Sequence, residues 1–206
     1  GFRSFFKTSD YSKITAEYHH TTEYRRGGNG IDSLQPHESL LCEQLRHNID
    51  AATAKWDFFS QDSKHFLSAY TSFQHIARNS YFGTNKNPNA YGKSTDLVSV
   101  TGAQYRFSYP CGITNADLSA GVEYSYNQLR DQILGYGRNT LQKVHLGGGY
   151  VQNEWKTTAW SVLVGGRLEQ HSLLEKPVFS PRANARWSPI VNGKSTMTDN
   201  PLPLTD

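Results

Sequence analysis

The feature that most restricts this chain is a period-two alternation of apolar and polar residues, held over stretches too long for an ordinary strand. In residues 117–127, Leu118, Ala120, Val122, Tyr124 and Tyr126 fall on one face, and Ser119, Gly121, Glu123, Ser125 and Asn127 on the other. Strand side chains point alternately to opposite faces, so such a segment has one apolar and one wet surface. Between Lys13 and Arg25 the same pattern sets Ile14, Ala16 and Tyr18 against Lys13, Thr15, Glu17 and His19. In 101–108, Thr101, Ala103, Tyr105 and Phe107 oppose Gly102, Gln104, Arg106 and Ser108, and near the end Ala183, Ala185 and Trp187 oppose Arg182, Asn184 and Arg186. Residues 46–59, 64–82, 141–155 and 158–171 are strand-like with looser alternation. The sum is about eight strands, several of about ten residues or more. A tilted strand needs about 9–11 residues to cross a bilayer, whereas strands of soluble proteins run to about 5–6.

The connections add independent information. Gly27 to Leu45, Gly83 to Thr95 and Asp131 to Asn139 read as the longer joints. Ser60–Ser63, Tyr109 to Ala116 and Lys156–Thr157 read as the shorter ones, and Ser172 to Val178 is moderate. Membrane barrels alternate short turns with longer loops in this way, whereas the crossovers of a Greek-key sandwich interrupt the rhythm. The expected fold class is all-β, an antiparallel up-and-down transmembrane β-barrel segment over residues 1–189. Residues 190–206 are polar, hold Pro201 and Pro203 and lose the alternation, so a disordered tail is expected there.

Composition agrees with this. Hydrophobic residues make up only 36% of the chain, yet aromatics reach 13% and the formal charge is only +3. That combination argues against disorder, and the weak, scattered charge argues against a nucleic-acid partner. No apolar run of about 18 residues exists, which excludes helical spans but not a barrel, where only alternate residues meet lipid. The opening residues Gly1 to Lys7 lack the apolar stretch of a signal peptide, so export would require a leader outside this sequence. Cys42 falls in the first long joint and Cys111 in a short one, which places them at opposite ends of the strands. A disulfide needs Cα atoms within about 7 Å, so the two are expected to be unbonded.

No arrangement of residues suggests a catalytic site, a cofactor or a metal centre. His19 and His20 are adjacent, but alternation sends them to opposite faces, so they cannot chelate together. Gly147-Gly148-Gly149 lacks the following helix that a phosphate cradle needs and is expected to mark a bend or bulge. Arg167, Glu169, Arg182 and Arg186 fall on wet faces of neighbouring strands. They are expected to line a lumen, either guiding anionic ligands and docking a plug or forming a ladder of ion pairs. Tyr81, Phe82, Tyr91 and Tyr136 lie in or beside the longer joints. They are the candidate ligand-binding residues, with interfacial girdle residues as the alternative.

Three stretches carry a family resemblance: Leu146-Gly147-Gly148-Gly149-Tyr150-Val151-Gln152-Asn153-Glu154-Trp155, Val164-Gly165-Gly166-Arg167-Leu168-Glu169-Gln170-His171-Ser172, and Phe179-Ser180-Pro181-Arg182-Ala183-Asn184-Ala185-Arg186-Trp187-Ser188-Pro189. In that order they resemble consecutive strands of TonB-dependent outer-membrane receptors. Upstream, Glu23-Tyr24-Arg25-Arg26-Gly27-Gly28-Asn29 resembles the family's early barrel strand and first long loop. The resemblance implies a barrel of about 22 strands in a Gram-negative outer membrane, closed inside by an N-terminal plug. It implies uptake of an iron-siderophore complex, cobalamin, haem or a glycan, with TonB, the receptor's own plug, a small nutrient ligand and outer-membrane lipid as partners. Measured against that family, a plug and a TonB-contacting box are expected before these strands and more than half of the barrel beyond them, and Asp206 stands where the family carries a terminal aromatic. The segment is therefore expected to be a barrel fragment that does not transport alone. Two rival readings are a soluble β-sandwich that binds a ligand such as a sugar and a complete eight-stranded membrane barrel.

Overall fold

The computed structural model describes residues 1–112 and 114–188. Nine strands follow one another: β1 (Phe2–Ser9), β2 (Ser12–Gly28), β3 (Leu41–Phe59), β4 (His65–Thr84), β5 (Tyr91–Cys111), β6 (Thr114–Ile133), β7 (Arg138–Lys156), β8 (Trp160–His171) and β9 (Val178–Trp187). They form a single antiparallel sheet in which each strand pairs with the next, in the order β1 to β9. The expected up-and-down architecture is therefore the observed one, with one strand more than the alternation alone predicts. The extra strand is β1. Its Phe5 and Phe6 are adjacent apolar residues that blur the period, and its register against β2 shifts between Lys7 and Ser9. Among the described residues β1 and β9 remain the two edges, so the sheet is not a closed small barrel.

The joints correct the sequence reading in one respect. Much of what reads as loop is strand: β4 runs to Thr84 and β5 begins at Tyr91, with Tyr81 paired to Tyr91. Likewise β6 runs to Ile133 and pairs there with Arg138, the first residue of β7. Asn, Lys and Gly near strand ends suggest loops because their β-propensity is low, but an extended antiparallel ladder outweighs it. The central strands β3 to β6 reach 19–21 residues. At about 3.4 Å per residue they are far longer than a tilted bilayer crossing needs, so their ends project beyond it.

Register shows what the strands share. Residues paired across a ladder lie on the same face, and one row of partners runs Phe6, Ile14, Trp56, Ala69, Ala103, Val122, Gly149, Leu168, Phe179 through all nine strands. None of the nine is polar. Val122 keeps 64% of its surface exposed and Phe179 65%, so this is an uncovered apolar surface rather than a core. The apolar stretch also drifts across the sheet. In β2 it covers Ile14, Ala16 and Tyr18; by β8 and β9 it has moved toward the short-turn end, to Trp160, Val162 and Val164 and to Ala183, Ala185 and Trp187. A level belt crossing tilted strands drifts in register in this way.

The glycines of β7 make no bulge. Gly147, Gly148 and Gly149 pair in unbroken register with Tyr124, Glu123 and Val122, which corrects the expected bend. Gly149 instead keeps the apolar face low between Val122 and Leu168, whereas a Cβ at Gly148 would meet the Glu169 side chain at 3.0 Å. Cys42 is the second residue of β3 rather than a loop residue, and it is buried beside Tyr81 and Ala90; Cys111 is the exposed last residue of β5. Both thiols are free, at opposite ends of the sheet.

Candidate functional site

The face opposite the apolar row carries almost all the paired charge. Arg3 meets Glu17 at 2.7 Å, Lys55 meets Asp57 at 3.1 Å, and Lys156 sits between Asp117 (3.0 Å) and Glu154 (3.1 Å). Glu23 holds both Arg25 and His47. His19 leans toward Glu17 on this side while His20 bonds Asp50 on the other, so the histidine doublet splits as the alternation predicts. Exposed pairs of this kind contribute about 0–1 kcal/mol each, so their value lies in matching charge across the surface rather than in stability.

At the centre of this face two tyrosines lie over glycines. Tyr70 pairs with Gly102, and its hydroxyl donates to Glu123, the next residue along that row. Tyr150 pairs with Gly121 on one side and Arg167 on the other. A Cβ at Gly102 would sit 2.6 Å from the Tyr70 ring, and one at Gly121 would sit 2.6 Å from the Tyr150 ring. The glycines are the space in which the rings lie flat. Gly121→Ala is therefore expected to destabilise the folded protein by about 1–3 kcal/mol through overpacking. Equilibrium unfolding should show Gly121→Ala costing less in a Tyr150→Ala background than in the native sequence, because the ring no longer needs the space.

Toward the long-loop end a second cluster appears that sequence reading does not find. Asp131 is buried, accepts from the Ser94 hydroxyl at 2.7 Å, and is flanked by Arg78 at 3.7 Å and by Arg138. Arg78, Ser94 and Asp131 are successive partners in one row of β4, β5 and β6, and Arg138 opens β7. A buried carboxylate requires such neighbours. Only the register brings these four together, and no spacing in the sequence signals it.

Of the lumen candidates, Arg167 donates to Glu169 at 2.7 Å on β8. Arg182 and Arg186 lie on the same face of β9, paired with Gly165 and Ser161, and have no carboxylate within 4.0 Å among the described residues. The loop aromatics come together but do not present a common surface. Tyr81 is fully buried, its hydroxyl donating to the Asn87 carbonyl at 2.9 Å and its ring 4.8 Å from that of Tyr91. Tyr91 is exposed and its hydroxyl bonds His37 in the long β2–β3 loop. The Tyr136 hydroxyl donates to the Phe82 carbonyl at 2.7 Å, tying the β6–β7 joint to β4, and both of these rings are exposed. Tyr81 thus packs the base of the loop end, while Phe82, Tyr91 and Tyr136 show ring surface above it.

The sequence matches the family described as "TonB dependent receptor-like, beta-barrel" over residues 2–194. The chain belongs to that family. Among solved structures, the outer membrane transporter YddB from Escherichia coli superposes with a TM-score of 0.70 at 12% identity, over 90% of this chain and 28% of that one. The ferric citrate transporter FecA in its unliganded form gives 0.53 at 12% identity, over 89% of this chain and 31% of that one. At such identity the likeness is one of fold. The chain spans less than a third of the length of either structure. No curated protein matches the sequence. A membrane barrel needs an apolar outer wall and a polar inner wall, and this sheet has one uncovered apolar surface and one charge-paired surface.

Proposed function

We propose that these nine strands are consecutive staves of a TonB-dependent outer-membrane receptor, with the apolar face toward lipid and the charge-paired face lining the lumen. The observation that carries this reading is the segregation itself. An unbroken apolar row crosses every strand on one face, while Arg3–Glu17, Lys55–Asp57, Lys156–Asp117 and Arg167–Glu169 all lie on the other. The complete protein takes up a scarce nutrient such as an iron-siderophore complex, cobalamin or haem, with a plug seated against the polar face and TonB supplying the energy from within. Phe82, Tyr91 and Tyr136, carried above the bilayer by the long strands and buttressed by Tyr81, form one part of the ligand's entry. Aromatic rings there offer flat apolar contact to a ligand arriving from water.

The test is uptake by cells making the complete protein as their sole receptor of this class, with and without TonB. The reading requires growth on one of these three nutrients, at limiting concentration, that disappears without TonB. Growth that persists without TonB, or failure to grow on any of the three, overturns it.

A further inference from the structure

The charge-paired face holds a half-buried carboxylate that nothing answers. Asp96 on β5 stands between Ile76 on β4 and Leu129 on β6, and Ile49 on β3 continues the row. Among the described residues its covered Oδ1 has no hydrogen-bond partner, and no Lys, Arg or His nitrogen lies within 4.0 Å of the carboxylate. Two residues nearer the long loops the opposite holds. There the adjoining row of His47, Arg78, Ser94 and Asp131, with Arg138 beside it, gives Asp131 a hydroxyl and two guanidinium groups. Arg78 is turned away from Asp96, donating to Ser94 at 2.9 Å and lying 3.7 Å from Asp131. His47 is likewise engaged, by Glu23 at 3.2 Å.

A pocket of about 320 Å³ opens at this point, near the lower end of the size of small-molecule sites. Ile49, Ile76 and Leu129 form its apolar walls, and Asp96 is the one acid among its lining residues. His47, Arg78 and Ser94 form the rim on the long-loop side. An ionised carboxylate among aliphatic side chains is strongly unfavourable until a cation or a donor meets it. A metal ion matches poorly, because it needs several oxygen ligands and the flanking side chains here are hydrocarbon. A guanidinium matches poorly too, since its fork of donors calls for several acceptors. A compact ammonium on an apolar stem fits both parts of the pocket.

We infer that this pocket binds a primary ammonium group carried on a short aliphatic stem, as part of the nutrient that enters from the long-loop side. The inference rests on the lumen-facing orientation and the nutrient uptake proposed above. The ammonium donates to the Asp96 carboxylate, and the stem lies against Ile49, Ile76 and Leu129. A half-turn about the carboxyl bond exchanges the two Asp96 oxygens, so either can receive the ammonium. Phe82 stands on the same face of β4, six residues beyond Ile76 toward the long loops, so the pocket lies inward of the aromatic entry.

The test uses the complete receptor in lipid nanodiscs, titrated with n-butylammonium, 1-butanol and butyrate and read by saturation-transfer NMR. Butylammonium should bind, and 1-butanol and butyrate should bind at least about tenfold more weakly, because neither brings a positive charge to Asp96. Equal binding of butylammonium and 1-butanol would overturn the ammonium assignment. Asp96→Asn should weaken butylammonium at least about tenfold and leave the unfolding midpoint unchanged or higher, because the charge it removes has no partner. A lowered midpoint in Asp96→Asn, with no butylammonium binding to the native receptor, would mean that a cation elsewhere in the complete protein fills the pocket, and the proposal fails. Glu169→Gln, on the same face, should leave butylammonium binding unchanged; an equal loss there would reduce the effect to net charge and overturn the proposal. A spin label at Ser125 separates the two readings. A label open to a water-soluble nickel complex, with no butylammonium binding, sinks only the pocket, whereas a label closed to it sinks the orientation beneath it.

Discussion

Replacing Val122 or Ala103 by arginine should destabilise the complete, membrane-embedded protein by about 2–4 kcal/mol each, because the new charge would be held near the middle of the hydrocarbon. Both positions lie on the apolar row and are partners across β5 and β6. Ser125→Arg, on the same strand as Val122 but on the polar face, should change stability by less than about 1 kcal/mol. Unfolding by denaturant from lipid vesicles provides the comparison. Equal penalties at Val122 and Ser125 would remove the distinction between the two faces.

The second large effect concerns the 206-residue chain alone. Among the described residues its sheet has two open edges, β1 and β9, each presenting backbone N–H and C=O groups with no strand beside them. In hydrocarbon each unsatisfied group costs several kcal/mol, and neither edge can be met by water there. The isolated chain should therefore neither insert stably nor conduct ions, and should aggregate through its edges. Refolding into detergent followed by electrophoresis with and without heating tests this. A monomer with heat-dependent mobility and single-channel conductance would show that these strands close on themselves.

The sequence makes the architecture readable but not the site, and the reason is physical. A face is a local property: Leu118, Ala120 and Val122 announce it within a few residues, because alternation is written in consecutive side chains. Strand β1 escapes notice because Phe5 and Phe6 place bulk on both faces. The strand ends beyond Tyr81 and Asp131 also escape notice, because above the bilayer neither face needs to be apolar and the period-two signal fades. The Asp131 cluster joins residues 78, 94, 131 and 138, and the tyrosine–glycine contacts join residues 70 and 102 and residues 121 and 150. Such contacts depend on register between strands, which no single strand encodes. Tyr81 shows the limit in the other direction. Its sequence context suggests an exposed loop aromatic, but pairing of β3 and β5 on either side encloses it beside Cys42.

The most direct test of the whole account is a scan of spin labels placed one at a time along Leu118, Ser119, Ala120, Val122, Glu123, Tyr124 and Ser125 of the complete protein in lipid bilayers. Accessibility to molecular oxygen, which concentrates in lipid, should be high at Leu118, Ala120, Val122 and Tyr124. Accessibility to a water-soluble nickel complex should instead be high at Ser119, Glu123 and Ser125. A scan in which Leu118, Ala120, Val122 and Tyr124 are shielded from both reagents would mean that the apolar face packs against protein, and the membrane-barrel account would be wrong.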